Sequence, residues 1–483
     1  MNVRRIGPVL RPNAARVLFR PLNLAGEDRV LRIISRVLEL SALQVTELLA
    51  QVLTEFGPRH QRLRDCFLKR FESIRPLLPT DRLPDEERRL LLGAYFTHEY
   101  SLEAAALFNP SIVPHPDQSG VPPDSIRFIL SLRATGEGHI SSITFRTGTI
   151  DGHGAICVDE PSRFVINPDH VLNASYEKAL FLRKLRELEV AEGVVETILE
   201  ALPDNFTVEQ LKEGIVLCGG NAGPRDADFE RKTSRMLHLA LANYEVFYPA
   251  DQPLTERVIF PVAPNESNGI EDARFVRFVE KDGTPSYIAT YTAYDGRVTI
   301  PQLLETSDFL RFRISTLNGP GVQNKGMALF PRRINGHYAM ISRQDGENLY
   351  LMYSDDLHFW YTKKPLLKPT YPWEFVQIGN CGSPIETEAG WLVISHGVGP
   401  MRKYSIGAFL LDLDDPSRVL ARLTEPLLSP DETEREGYVP NVVYSCGALI
   451  HAGLLILPYA MSDSATSFAT VPFAELLVAM RPV

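Results

Sequence analysis

From Val258 onward the chain is punctuated by turn dipeptides, and their spacing limits its architecture more than any other feature. Asp282-Gly283, Asp295-Gly296, Asn335-Gly336 and Asp345-Gly346, with Glu388-Ala389-Gly390, separate short apolar runs. Asn-Gly and Asp-Gly readily supply the positive φ of tight hairpin turns, so the runs between them read as antiparallel strands. Residues 287–294 alternate and are aromatic, as a packed strand should be. Residues 335–339 and 388–392 echo each other as strand-turn-strand units. Residues 126–132 and 140–145, followed by Asp151-Gly152, carry the same signature earlier in the chain. Four-stranded units repeated every roughly 40–60 residues predict a β-propeller, with a β-sandwich carrying helical additions as the competing fold.

Two stretches break this pattern. Between 25 and 105, Val30, Ile33, Ile34, Val37 and Leu38 recur at helical spacing, as do Val45, Leu48, Leu49 and Val52, then Leu63, Phe67 and Phe71. Residues 176–191, 194–201, 208–213 and 226–244 are helical in the same way. The expected organisation is a helical N-terminal region (1–105), the first part of the β-structure (106–159), a largely helical insertion (160–257) and the rest of the β-structure (258–483). The insertion is expected to cap one rim or to make a subunit contact in a homo-oligomer. The glycines of Cys218-Gly219-Gly220-Asn221-Ala222-Gly223 fit neither GxGxxG nor a P-loop, so an interhelix loop is the simpler reading.

Composition removes several functions. With 483 residues and a net charge of −10, the chain offers no overall basic character to a nucleic acid. Five scattered cysteines without a CxxC pair read as reduced thiols of a cytoplasmic protein, not as a disulfide framework or a zinc site. The arginine-rich start has no apolar core of a secretory signal, and no run of about 18 apolar residues predicts a membrane span. No HExxH or GxSxG is present, and no metal site or organic cofactor is expected.

The chemistry concentrates in a few polar clusters. Asn268-Gly269-Ile270-Glu271-Asp272-Ala273-Arg274 places two carboxylates and an arginine where a turn enters a strand, a rigid position from which a carboxyl can serve a glycosidic bond. A structural ion pair is the plainer alternative. Asn109 lies in Phe108-Asn109-Pro110-Ser111, and Arg133 ends a strand. Lys325 and Arg343 flank one predicted hairpin and can converge on an anion, the lysine as a point charge and the arginine as a fork. His396 and Tyr404 form another cluster, and Asp463 closes Tyr459-Ala460-Met461-Ser462-Asp463.

In order, these segments resemble glycoside hydrolase family 130, the β-mannoside phosphorylases and related β-mannosidases. The matching text includes FNPSIV, NGIEDARFV, NKGMALFPRRINGHYAMISR, GSPIETEAGWLVISHGV, GYVPNVVYSCG and LPYAMSD, within about 108–156 and 258–470. The resemblance implies a five-bladed β-propeller with its site at the central axis, and an inverting phosphorolysis that releases α-mannose 1-phosphate. It makes Asp272 the proton donor, acting through the 3-hydroxyl of the bound mannose. It gives Lys325, Arg343 and His396, with Tyr404 as a helper, to inorganic phosphate as co-substrate, and Asn109, Arg133 and Asp463 to the mannosyl unit. Gln377 departs from the pattern where many phosphorylases of the family carry a basic ligand, and a missing charged contact costs about 1.5–3 kcal/mol. Ala273 and Tyr459-Ala460-Met461 are further departures. Gln377 keeps open a hydrolase on the same scaffold, which needs a second carboxylate to activate water; Glu386 and Glu436 are its candidates. The helical additions keep open a non-catalytic carbohydrate-binding protein.

Overall fold

The computed structural model describes residues 1–171, 175–190, 193–219 and 227–483. It is mainly β with helical additions, and five separate antiparallel sheets carry it. The first contains Ala106–Pro114, Ile126–Thr135, Ser141–Ile150 and Val258–Ile259 in spatial order, with Ile156–Val158 beside Ser141–Ile150. The second runs Ile270–Val279, Pro285–Tyr294, Thr299–Thr306, Arg311–Thr316, Tyr244–Phe247, Asp169–Val171. The third is Lys325–Leu329, Tyr338–Arg343, Leu349–Ser354, Thr362–Leu367. The fourth is Gln377–Asn380, Gly390–Val398, Tyr404–Leu411, Val419–Arg422, Arg481–Pro482, with Ile385–Thr387 on Gly390–Val398. The fifth is Val443–Tyr444, Leu454–Met461, Ala465–Pro472, Arg4–Leu10, with Leu449–His451 on Leu454–Met461.

The core lies between sheets rather than inside one. Phe145 and Ile129 of the first sheet pack with Phe275, Tyr287 and Phe312 of the second. Phe278 and Leu303 of the second meet Met327, Met340 and Met352 of the third. Ile341 and Leu351 of the third meet Trp391, Val393 and Phe409 of the fourth. Ile394 and Ile406 of the fourth meet Leu455, Leu457 and Tyr459 of the fifth, and Ile456 and Phe468 of the fifth meet Phe128 and Leu130 of the first. Each sheet is therefore covered on both faces. That is why Gly390–Val398 is buried at every position and reads as a nearly continuous apolar run instead of an alternating one.

The helices form satellites with cores of their own. In the N-terminal region, Ser41 caps Ala42–Phe56 in a capping box with Gln44, and Asp85 caps Glu86–Tyr95. Val30, Ile34, Val45, Phe71 and Leu91 fill the space between these helices. The insertion encloses Phe181, Leu185, Ile198, Phe206, Leu211 and Met236. Buried Lys184 ties it to the second sheet by donating to the Leu317 carbonyl at 3.1 Å. Among the described residues, no single helix is long and apolar enough to cross a membrane.

Several details differ from the sequence reading, among them a strand at Tyr176–Glu177 that opens the stretch expected to be helical over 176–191. Arg4–Leu10, inside the region expected to be helical, is the outer strand of the fifth sheet and pairs with Ala465–Pro472. Thr97–Ser101 is a strand paired with Val17–Pro21. The last insertion helix, Ala227–Leu241, stops short of Tyr244, which opens a strand of the second sheet. In each case tertiary pairing overrides local periodicity. The glycine loop after Gly219 lies outside the described residues.

Candidate active site

Three edge strands break register, one in each of the first three sheets. The ladder shifts between Phe108 and Ser111 in the first sheet, between Glu271 and Arg274 in the second, and between Lys325 and Ala328 in the third. Within each shift sits a residue in the left-handed region: Asn109 at φ 48°, Asp272 at φ 55° and Gly326 at φ 88°. Asn, Asp and Gly are the residues that tolerate this conformation best. A bulge re-aims the strand locally, and here it turns Asn109 and Asp272 toward each other from neighbouring sheets. Ser462 and Asp463 add left-handed residues at the end of Leu454–Met461.

Asp272 stands at the centre. Asn109 Nδ2 donates to its Oδ1 at 2.6 Å. Arg133 Nη1 lies 3.6 Å from the same oxygen, while its Nη2 pairs with Glu271 Oε1 at 3.0 Å. The Arg133 guanidinium sits 5.0 Å from the centre of the Phe108 ring, its cross-strand neighbour. Arg274 Nη1 donates to the Asp272 carbonyl at 3.0 Å, and Nη2 to the Tyr444 hydroxyl at 2.7 Å. Lys325 Nζ lies 3.7 Å from Glu271 Oε2. Burial pushes the Asp272 carboxyl up, but Arg133, Arg274 and Lys325 together, with the Asn109 hydrogen bond, hold it below its ordinary range. In the free protein Asp272 is a carboxylate at neutral pH.

A second group of side chains adjoins it. Arg343 is the direct cross-strand partner of Lys325 and is buried, and its Nε and Nη1 have no hydrogen-bond partner among the described residues. His396 is buried, stacked on Tyr404 with ring centres 5.9 Å apart, and tilted against Tyr444. Burial, then Arg343, Arg274 and Lys325, pushes its pKa well below the usual value. Its imidazole is thus neutral and offers an anion hydrogen bonding, not charge. Gln377 Nε2 lies 3.4 Å from His396 Nε2. Asp463 completes the site from the fifth sheet. Burial first, then the Asp272 carboxylate, pushes it up to about 6, against the pull of Arg133 and Arg402.

Asn109 and Arg133 are therefore gathered around the Asp272 carboxylate, with Asp463 coupled to it electrostatically. Lys325, Arg343, His396 and Tyr404 form the adjoining group. Glu386 is elsewhere: half exposed, it makes a bidentate pair with Arg332, which lies over the Trp391 ring. It is not placed to activate water at Asp272. Glu436 is exposed, and no hydrogen bond or ion pair is described for it. Sequence reasoning gave no role to Glu271, Arg274, Tyr444 or Asn380. The first three lie inside motifs already singled out, and for Glu271 and Arg274 their places on either side of the Asp272 bulge were the available signal.

Known proteins match this chain over the segment that builds most of the site. A family model described as beta-1,4-mannooligosaccharide phosphorylase, of the glycoside hydrolase 130 class, matches residues 227–481. A 1,2-beta-oligomannan phosphorylase of Thermoanaerobacter sp. (strain X514) is 37% identical over 228 residues, covering 45% of this chain and 74% of that protein. A beta-1,2-mannobiose phosphorylase of the same strain is 35% identical over 242 residues, covering 47% and 73%. The solved structure of a beta-1,2-mannobiose phosphorylase from Listeria innocua, in complex with beta-1,2-mannobiose, aligns with 78% of this chain and 92% of that one, at 21% identity and a TM-score of 0.46.

Proposed function

The chain belongs to glycoside hydrolase family 130, and from that premise we propose that it is an inverting β-mannoside phosphorylase that uses inorganic phosphate to release α-mannose 1-phosphate. One observation of the site carries the phosphate half of this reading: Arg343 is buried beside Lys325 with two guanidinium N–H groups unpartnered among the described residues. A buried cation short of acceptors is costly, and a phosphate anion supplies them. The mannoside half rests on the family and on the relatives' named activities. The relatives' names span β-1,2 and β-1,4 linkages, so both mannobioses are the substrates to test.

The five sheets, with apolar clusters in each gap between neighbours, support the further reading that they are blades of a five-bladed propeller. Asp272, on an innermost position of the second blade, then faces the axis. There it is the single general acid, because phosphate replaces the activated water of a hydrolase. The ionised state of Asp272 in the free protein fits an ordered event. Phosphate entering beside Lys325 and Arg343 offsets the cations that depress Asp272, and its carboxyl rises toward the protonated form that donation needs. Asn109 and Arg133 hold the carboxyl in place, and Asp463 orients mannosyl hydroxyls. Five unpaired cysteines support a reducing, cytoplasmic setting.

The reading is tested with two variants. Asp272→Asn should lower kcat for mannose 1-phosphate formation about 10²–10⁴-fold with little change in phosphate binding. Arg343→Ala should instead raise the KM for phosphate by at least about tenfold. Mannobiose cleavage at an unchanged rate in phosphate-free buffer, by the wild type and Arg343→Ala alike, would count against a phosphorylase.

A further inference from the structure

Asn380 ends the innermost strand of the fourth sheet, Gln377–Asn380, and pairs across the ladder with Ser395, next to Gly379 opposite His396. It is 1% exposed, and neither Nδ2 nor Oδ1 has a partner among the described residues. A buried carboxamide with both ends unpaired costs on the order of what a ligand's hydrogen bonds return, so its surroundings matter.

Those surroundings point to an anion. A side chain at Gly326 would begin 3.7 Å from Arg343 Nε and 3.9 Å from Asn380 Oδ1. The guanidinium and the carboxamide, brought from the third and fourth sheets, therefore wall one space that Gly326 leaves open. Gly379 is held to glycine by the His396 ring, whose Cε1 would meet a Cβ at 2.3 Å, so the ring abuts the strand that carries Asn380. The unpartnered Nε of Arg343 belongs to the same space.

Resting on the phosphorylase reading above, we propose that Asn380 is a phosphate-binding residue of this site, its carboxamide completing with Arg343 a cradle made possible by Gly326. The Nδ2–H donates to one phosphate oxygen while the Nε–H of Arg343 donates to another. Oδ1 accepts from the P–OH of a monoprotonated phosphate. An amide suits this position because Lys325, Arg343, Arg274 and Arg133 already crowd the site with positive charge. It adds hydrogen bonds without burying a further cation, and it offsets part of what Gln377 lacks.

The experiment measures binding of inorganic phosphate and of β-mannobiose separately, by calorimetry, to wild type, Asn380→Ala and the isosteric Asn380→Asp, with the phosphate KM of each. The expected result is a phosphate affinity lowered about tenfold in Asn380→Ala and further in Asn380→Asp, whose charge repels the anion. Mannobiose binding and the unfolding temperature of Asn380→Asp should stay close to wild type. A merely structural role would weaken both ligands together and overturn the proposal. So would unchanged phosphate affinity in folded variants. Failure of the wild type itself to bind phosphate would overturn the phosphorylase reading, and this inference with it.

Discussion

Asp463 is the acidic residue of the candidate site whose ionisation the fold opposes most. Its carboxyl titrates at about 6 in the folded protein against a usual 3.8. The folded state therefore binds its proton more tightly than the unfolded state does. The stability this contributes is complete below about pH 3.8 and is lost as the pH rises through about 6. Above that, the fold carries an ionised, partly buried carboxylate repelled by the Asp272 carboxylate. Asp463→Asn should then raise stability at pH 8 by up to about 2–3 kcal/mol while having little effect at pH 4, as read by urea unfolding at both values. The same substitution should remove a limb near pH 6 from the kcat/KM profile for mannoside. A profile and a stability difference that do not change with pH would mean that Asp463 is not buried against Asp272. At this scale the sequence was most legible where resemblance named the residue, as with Asp272, Asn109 and Arg133. It was least legible at Asn380, a polar residue after a short apolar strand, which reads as a loop until the third sheet is set beside it.

Among elements, the strand bulges organise the chemistry. In each of the first three sheets a left-handed residue interrupts an edge strand, and the side chains at or beside it gather around Asp272 and Arg343. The sequence shows this as Asn, Asp or Gly within FNPSI, EDARF and KGMAL, a repeat too short to detect by identity. Gly326 is the one of the three with no functional side chain, and its φ of 88° together with the adjoining open space explains why. Gly326→Ala should cost about 1–2 kcal/mol of stability from backbone strain. It should also raise the phosphate KM more than the mannobiose KM, because its methyl enters the Arg343 side of the cradle. Equal effects on both substrates would assign the glycine to the fold alone. The hairpin strands were legible from their Asn-Gly and Asp-Gly turns. Thr97–Ser101 and Arg4–Leu10 were not, since neither has its own alternation signal and each is fixed by a partner strand distant in sequence.

The whole molecule depends on contacts between its two ends. Arg4–Leu10 completes the fifth sheet, and Arg5 reaches Glu434 at 2.9 Å through Nε and 3.0 Å through Nη2. Glu434 is buried, accepts from the Tyr459 hydroxyl at 2.5 Å, and offers its carbonyl to the hydroxyl of Ser462, the residue before Asp463. The chain's first strand thus supports a loop of the active site. Arg5→Ala leaves Glu434 short of its cation and should destabilise the protein by about 1–3 kcal/mol, the lower part of the range because Arg5 keeps a third of its side chain in water. It should also raise the KM for mannobiose more than that for phosphate, since Asp463 moves and Arg343 does not; a change in phosphate KM alone would refute this coupling. Mainly-β architecture and the positions of the helical additions were readable in the sequence because turn chemistry and periodicity are local. The joining of the two ends was not, because nothing local records it.

The most direct test of the account is a ³¹P NMR time course of wild-type protein with β-mannobiose and inorganic phosphate. The account predicts that the phosphate signal falls as α-mannose 1-phosphate rises, one molecule for each mannobiose consumed. Consumption of mannobiose with the phosphate signal unchanged and free mannose as the only product would contradict it.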